Sequence, residues 1–289
     1  MQQENSAKNG VTGTAMLVHE NADAATMKNE VDELKELTPL NAAINAGASA
    51  GDIVFHPAGS RGLAQHGWLE SRQTFSFADY YNPDCMHFGV LRVLNDDWIA
   101  PGKGFGRHPH DNMEIISIPL DGALKHADSM NNTAVIKKGD IQAMSAGTGI
   151  FHTEYNNSET ESASFLQIWL FPREKNVAPR YDQRTLDASA RNNRFQQILS
   201  PGKEDEGVWI NQDAWFHLGN FDGAKQETYG VKKAGNGVYA FLISGEATIQ
   251  GQPMTARDGL GIWNTAEINI KTGQQGAEIL LMDIPMVLS

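Results

Sequence analysis

Phe165-Leu166-Gln167-Ile168-Trp169-Leu170-Phe171 is a run of seven residues, six of them large and apolar, closed by Pro172. It is too short for an ordinary helix and rich in types that favour extended backbone, so it reads as a strand. Similar runs recur on both sides of it: Phe88-Gly89-Val90-Leu91-Arg92-Val93-Leu94, Glu114-Ile115-Ile116-Ser117-Ile118-Pro119-Leu120 and Tyr239-Ala240-Phe241-Leu242-Ile243. Each is bounded by Gly, Asn, Asp or Pro, and the sequence holds 28 glycines and 11 prolines. Recurring short strands between turn residues predict an all-β sandwich or barrel. Long helical periodicity is missing from this part of the chain.

A weak internal repeat points to two similar halves. Leu120-Asp121-Gly122-Ala123-Leu124 is followed by Lys138-Gly139-Asp140 and the closing run at 165–172. Ile243-Ser244-Gly245-Glu246-Ala247 is followed by Arg257-Asp258-Gly259 and then by Ile279-Leu280-Leu281-Met282-Asp283-Ile284-Pro285. Two β-barrels joined around residues 173–205 account for this order, with room for a short helix in the join. Residues 1–50 differ: they contain no aromatic residue and carry three Lys against seven Asp or Glu. Met27, Val31, Leu34 and Leu37 follow a helical spacing, which predicts a short helix over 24–38 in a partly ordered extension. The small residues at 45–51 read as a flexible linker. The sharper alternative for this extension is a docking or swapping arm.

Composition narrows the function classes. The 289 residues divide as one large domain or two ordinary ones. A net charge of −12 argues against binding driven by nucleic-acid phosphates. No stretch has the uncharged apolar length of a membrane span, and no basic-then-apolar leader opens the chain. Cys85 is the single cysteine, so an intramolecular disulfide framework is excluded and a cytoplasmic, reducing compartment is expected.

The residues that carry chemistry are His108, His110, His152 and Glu154. His108-Pro109-His110 and His152-Thr153-Glu154 are both i, i+2 pairs, and on a strand such pairs share one face. Two facing strands then present three imidazoles and a carboxylate to one barrel interior. That donor set suits one divalent first-row metal with open positions. Gly102, Gly104 and Gly106 precede the first pair, and Gly147 and Gly149 the second, which gives tight turns beside both. A lone His-x-His on a surface strand arises by chance; two such pairs flanked by glycines are harder to explain that way. The other histidines, His19, His56, His66, His87, His126 and His217, show no matching pair.

This pattern resembles the cupin superfamily. Gly102, His108, His110, Glu114 and Gly122 follow the order of its first motif, with one extra residue before the last glycine. Gly139, Gly149, His152 and Asn156 follow its second, without the usual proline and with longer spacing. More closely, residues from about 53 to 285 resemble the pirin family of bicupins. The resemblance is carried by His66-Gly67-Trp68, Thr74-Phe75-Ser76-Phe77, Tyr80-Tyr81, Met113-Glu114-Ile115, Met144-Ser145-Ala146-Gly147-Thr148-Gly149 and Leu166-Gln167-Ile168-Trp169, together with 88–93 and 108–110. It implies two tandem jelly-roll-like cupin barrels: 51–175 binding the metal, and 176–289 without metal ligands. It further implies Fe(II) as the first choice of metal, with Mn, Ni, Cu, Co or Zn as alternatives. Glu114 is implied to be outside the ligand set. Asp111-Asn112 stands where family members commonly carry a basic residue, which argues against a partner surface built on positive charge there.

Pirin-like proteins act as iron-binding nuclear co-regulators in animals, and several bacterial members show quercetin 2,3-dioxygenase activity. The resemblance therefore implies either an oxygenase acting on a flavonol-like substrate with O₂, or a metal- or redox-dependent regulator that binds a transcription factor or a metabolic enzyme. In the first case Glu154 doubles as ligand and general base, and Phe105, Phe151 and Trp169 are candidate pocket walls. A third class, an isomerase or decarboxylase, needs a basic anchor, for which Arg92 and Arg107 are the nearest candidates.

Overall fold

In a computed structural model, residues 51–288 are described. The helix expected over 24–38 and all but the last residue of the 45–51 linker lie outside them. The strands in chain order are β1 (Asp52–His56), β2 (Gly62–Gln65), β3 (Leu69–Gln73), β4 (Leu91–Ile99), β5 (Gly104–His110), β6 (Glu114–Asp121), β7 (Ala123–Asp128), β8 (Thr133–Lys137), β9 (Asp140–Ser145), β10 (Ile150–Asn156), β11 (Ala163–Leu170) and β12 (Arg180–Thr185). A short 3-10 turn at Ala188–Arg191 falls where the join between halves left room for a helix. Then come β13 (Phe195–Ser200), β14 (Val208–Trp209), β15 (Trp215–Phe221), β16 (Gln226–Gly230), β17 (Asn236–Ile249), β18 (Gln252–Thr255), β19 (Gly259–Trp263) and β20 (Glu267–Pro285).

The first barrel closes a seven-stranded sheet, β12-β9-β6-β11-β4-β3-β2, over a four-stranded one, β5-β10-β7-β8. The second is a single nine-stranded sheet, β1-β19-β17-β20-β15-β13-β14, with β16 on β20 and β18 on β17. The repeat read from sequence is visible in the backbone. Gly122 (φ 69°) separates β6 from β7, and Gly245 (φ 81°) stands where β17 shifts register against β20 without breaking. A Cβ on Gly245 would lie 2.1 Å from the Gly276 carbonyl oxygen, so only glycine fits there.

The apolar runs have two buried faces, which is why they lack polar alternation. On β11, Leu166, Ile168 and Leu170 pack with Ile198, Phe216 and Phe241 in a core shared by both barrels. Phe165 faces inward with Leu124 and Ile136, and Gln167 reaches Glu154.

Strands also cross the boundary expected near residue 175. β1 pairs with β19 of the second barrel, and β12 returns to pair with β9 of the first. An aspartate anchors each crossing strand. Asp140 accepts the Lys137 amide (2.9 Å) and the Thr185 hydroxyl (2.6 Å). Asp258 accepts the Thr255 amide (2.7 Å) and the Ala58 amide (2.7 Å).

Candidate metal centre

β10 forms the spine of the site. Its alternation turns His152 and Glu154 into the first barrel, at 2% and 1% exposure, and leaves Phe151 and Tyr155 outside, each at 39%. β5 lies beside it with His108 opposite His152 and His110 opposite Ile150. Two residues separate Phe105 from His108 on β5, against one between Glu154 and His152 on β10, a β-bulge that turns Phe105 to the same face as the histidines. Gly104 permits the close approach of the two strands: a Cβ there would sit 2.2 Å from the Glu154 carbonyl oxygen.

Three imidazoles converge. His152 Nε2 lies 2.9 Å from His108 Nε2 and 3.0 Å from His110 Nε2. His108 Nδ1 donates to the Gly106 carbonyl at 2.7 Å, which leaves Nε2 as the nitrogen available to a ligand. Burial, and secondarily the neighbouring His108, hold His110 and His152 well below the ordinary imidazole range. Neutral rings with convergent lone pairs are the state that ligates a metal. Metal–nitrogen bonds of about 2.0–2.1 Å meeting near a right angle give nitrogens about 3 Å apart, so the residues fit a divalent ion.

Glu154 groups with His152 of the triplet rather than with all three histidines. Its carboxylate clusters with His126 and His152, with one ligand atom from each inside 4.8 Å of the others. Gln167 Nε2 donates to Oε2 at 2.8 Å, and the Ser117 hydroxyl lies 3.1 Å from Oε1. His126 is a residue the sequence reading passed over. Its ring is fully buried, 5.3 Å from that of His152 and 4.8 Å from that of Tyr181 on the crossing strand β12. His126 Nε2 bonds Asp128 at 3.2 Å, which leaves Nδ1 buried and without a hydrogen-bond partner. The signal was present in the chain: His126-Ala127-Asp128 is a third i, i+2 pair, on β7.

Of the expected pocket walls, Trp169 packs edge-on against His110 with centroids 4.8 Å apart, and Phe105 lies 6.4 Å from His108. Phe151 is corrected: it points out of the barrel, with the Arg107 guanidinium 3.8 Å over its ring. Arg92 bonds the Ser76 and Met86 carbonyls, so neither arginine offers an anchor inside the barrel. Glu114 faces away from the histidines, taking the Ser145 hydroxyl at 2.6 Å and the Asn211 amide at 3.5 Å.

Residues 56–170 match the pirin family, and residues 197–284 match the quercetinase C-terminal cupin domain. A quercetin 2,3-dioxygenase of Escherichia coli K12 is 42% identical over 235 residues, which is 81% of this chain and all of that protein. A pirin-like protein of Caulobacter vibrioides is 40% identical over 223 residues, 77% of this chain and 95% of its own length. The crystal structure of YhhW from Escherichia coli superposes with a TM-score of 0.78 at 42% identity, covering 82% of this chain and all of that one. The bacterial pirin YhhW in complex with nickel(II) gives 0.77 at 41% identity over the same shares. With relatives of this identity matched along nearly their whole length, the chain belongs to the pirin family.

Proposed function

We propose that this protein is a metal-dependent dioxygenase of the quercetin 2,3-dioxygenase type, cleaving a flavonol-like substrate with O₂ to a depside and carbon monoxide. The observation that carries the reading is the approach of the His108 and His110 Nε2 atoms to within about 3 Å of His152 Nε2, with Glu154 grouped against His152. These four residues hold one divalent transition metal, with Fe(II) the first choice, in a barrel whose relatives carry this activity in their names. The bound ion supplies a Lewis acid and an electronic path between substrate and O₂. Glu154 takes the proton of the flavonol 3-hydroxyl onto its carboxylate, while Gln167 and Ser117 keep that carboxylate oriented. Trp169 and Phe105 form apolar walls that keep water from the reacting centre. Cys85 is free and half-buried, which agrees with a cytoplasmic location.

The test is anaerobic reconstitution with Fe, Mn, Ni, Cu, Co and Zn in turn, followed by flavonol absorbance and O₂ uptake. Turnover with at least one ion is expected. If every ion is bound and none gives turnover, the oxygenase reading fails, and a regulatory role read by a protein partner takes its place. In a second measurement, the His108→Ala plus His152→Ala chain should lose nearly all metal by elemental analysis. A full equivalent retained there would overturn the ligand assignment.

A further inference from the structure

The second barrel carries an open pocket beside β16, the strand that pairs with β20 as β5 pairs with β10. The first half of β20 pairs with β16 on one side and the end of β17 on the other, as β10 pairs with β5 and β7. Where the first barrel sets His108 opposite His152, the second sets Glu227 opposite Ile270 and Tyr229 opposite Ile268. Isoleucine cannot ligate a metal. A space of about 390 Å³ opens beside these residues, within the usual range of about 300–1,000 Å³ for small-ligand sites.

His217 and Tyr229, each 5% exposed, line this space, and Asp283 stands behind them. Asp283 Oδ2 accepts the Lys232 amide at 2.6 Å and the Tyr229 hydroxyl at 3.0 Å, while Oδ1 accepts Asn236 Nδ2 at 2.7 Å. The one hydroxyl proton of Tyr229 is thereby committed to Asp283. Its oxygen, 3.3 Å from His217 Nδ1, is left to accept from that nitrogen. His217 Nε2 then keeps the ring's lone pair. Burial pushes His217 down to about 3, so this lone pair belongs to an uncharged ring at neutral pH. A buried histidine that merely completes a core needs neither an adjoining pocket nor acidic neighbours. This one has both.

The remaining lining chooses the ligand class. Glu206 and Glu227 supply carboxylate acceptors, Gln197 an amide, Lys232 an ammonium, and Phe195 an apolar surface. Two carboxylates against one ammonium disfavour an anion. Among the described residues, the clusters of three or more metal-type donors lie in the first barrel, not here. A set dominated by acceptors, with one aromatic ring, suits a molecule rich in hydroxyl donors. We propose that the second barrel binds a small neutral polyhydroxylated molecule of the sugar or sugar-alcohol class. One of its hydroxyls donates to His217 Nε2 and others to Glu206 and Glu227.

The experiment is saturation-transfer NMR on the full metal-loaded chain with glycerol, D-ribose, D-glucose and sucrose as probes, and benzoate and choline as comparators. Transfer to at least one of the four polyols is expected, with affinity falling at least fivefold in Glu227→Gln. Tyr229→Phe, which frees the His217 tautomer, should weaken binding in the same direction. Metal content and flavonol turnover should stay unchanged in Glu227→Gln, which separates this site from the first barrel. Absence of transfer to all four polyols overturns the proposal. So does undiminished binding in both variants, or preferential binding of benzoate or choline.

Discussion

His152 stands at the centre of the first-barrel site: its Nε2 lies against His108 and His110, its ring lies 5.3 Å from that of His126, and Glu154 groups with it. Glu154 is the residue whose two proposed roles, ligand and base, can be separated. Glu154→Gln keeps an oxygen that can ligate, so metal content should drop only modestly. An amide cannot take the substrate proton, so turnover should fall by about 10²–10⁴-fold. Turnover that merely follows metal occupancy would leave Glu154 as a ligand alone. Glu114 offers a test independent of the metal. Burial pushes its carboxyl up to about 7 from an ordinary 4.5. Between these values the unfolded chain ionises while the folded chain keeps the proton, so stability falls as pH rises from about 4.5 to 7, by at most about 1.4 kcal/mol per pH unit. Asp97, raised to about 7 by its own burial, adds to the wild-type slope. Urea unfolding of Glu114→Gln at pH 5, 6 and 7 should therefore show a flatter dependence than wild type; parallel slopes would refute the buried-acid account.

At the scale of elements, the two barrels are tied by strands that cross between them, each pinned at one end by an aspartate. Asp258 serves the Ala58 amide, the Thr255 amide and the Thr255 hydroxyl at 2.7–3.0 Å. Asp258→Ala leaves these donors without that acceptor, at a cost of about 1–3 kcal/mol. The loss should be concentrated where β1 meets β19. Hydrogen exchange of the 52–56 amides is expected to quicken, while β10 amides in the other barrel keep their protection. Uniform quickening across both barrels would show that β1 is not held locally by this residue. The crossing also bears on the metal site, because β12 brings Tyr181 against His126.

For the whole molecule, the described strands run from Asp52 to Pro285, and the shared core is built from both barrels. A chain beginning at Gly51 should keep one cooperative melting transition and a full metal equivalent; an insoluble or metal-free product would overturn this. Much of the architecture was readable in the chain because its causes are local. Short apolar runs between turn residues define strands, and i, i+2 spacing puts His108 with His110 and His152 with Glu154 on one face whatever surrounds them. The glycines of the repeat were also readable, since positive φ is a demand of the backbone itself. Three features needed the tertiary structure. Phe105 and Phe151 looked alike as pocket walls, but a bulge between β5 and β10 brings Phe105 inward while strand alternation sends Phe151 out. His126 belongs to an i, i+2 pair of its own, but it joins the site only because β7 pairs with β10, a contact between residues about 28 apart. The strand exchange of β1 and β12 depends on which sheet edge each segment reaches when both barrels are present. Sequence periodicity fixes the face on which a side chain lies; only the closed sheets decide which other faces it meets.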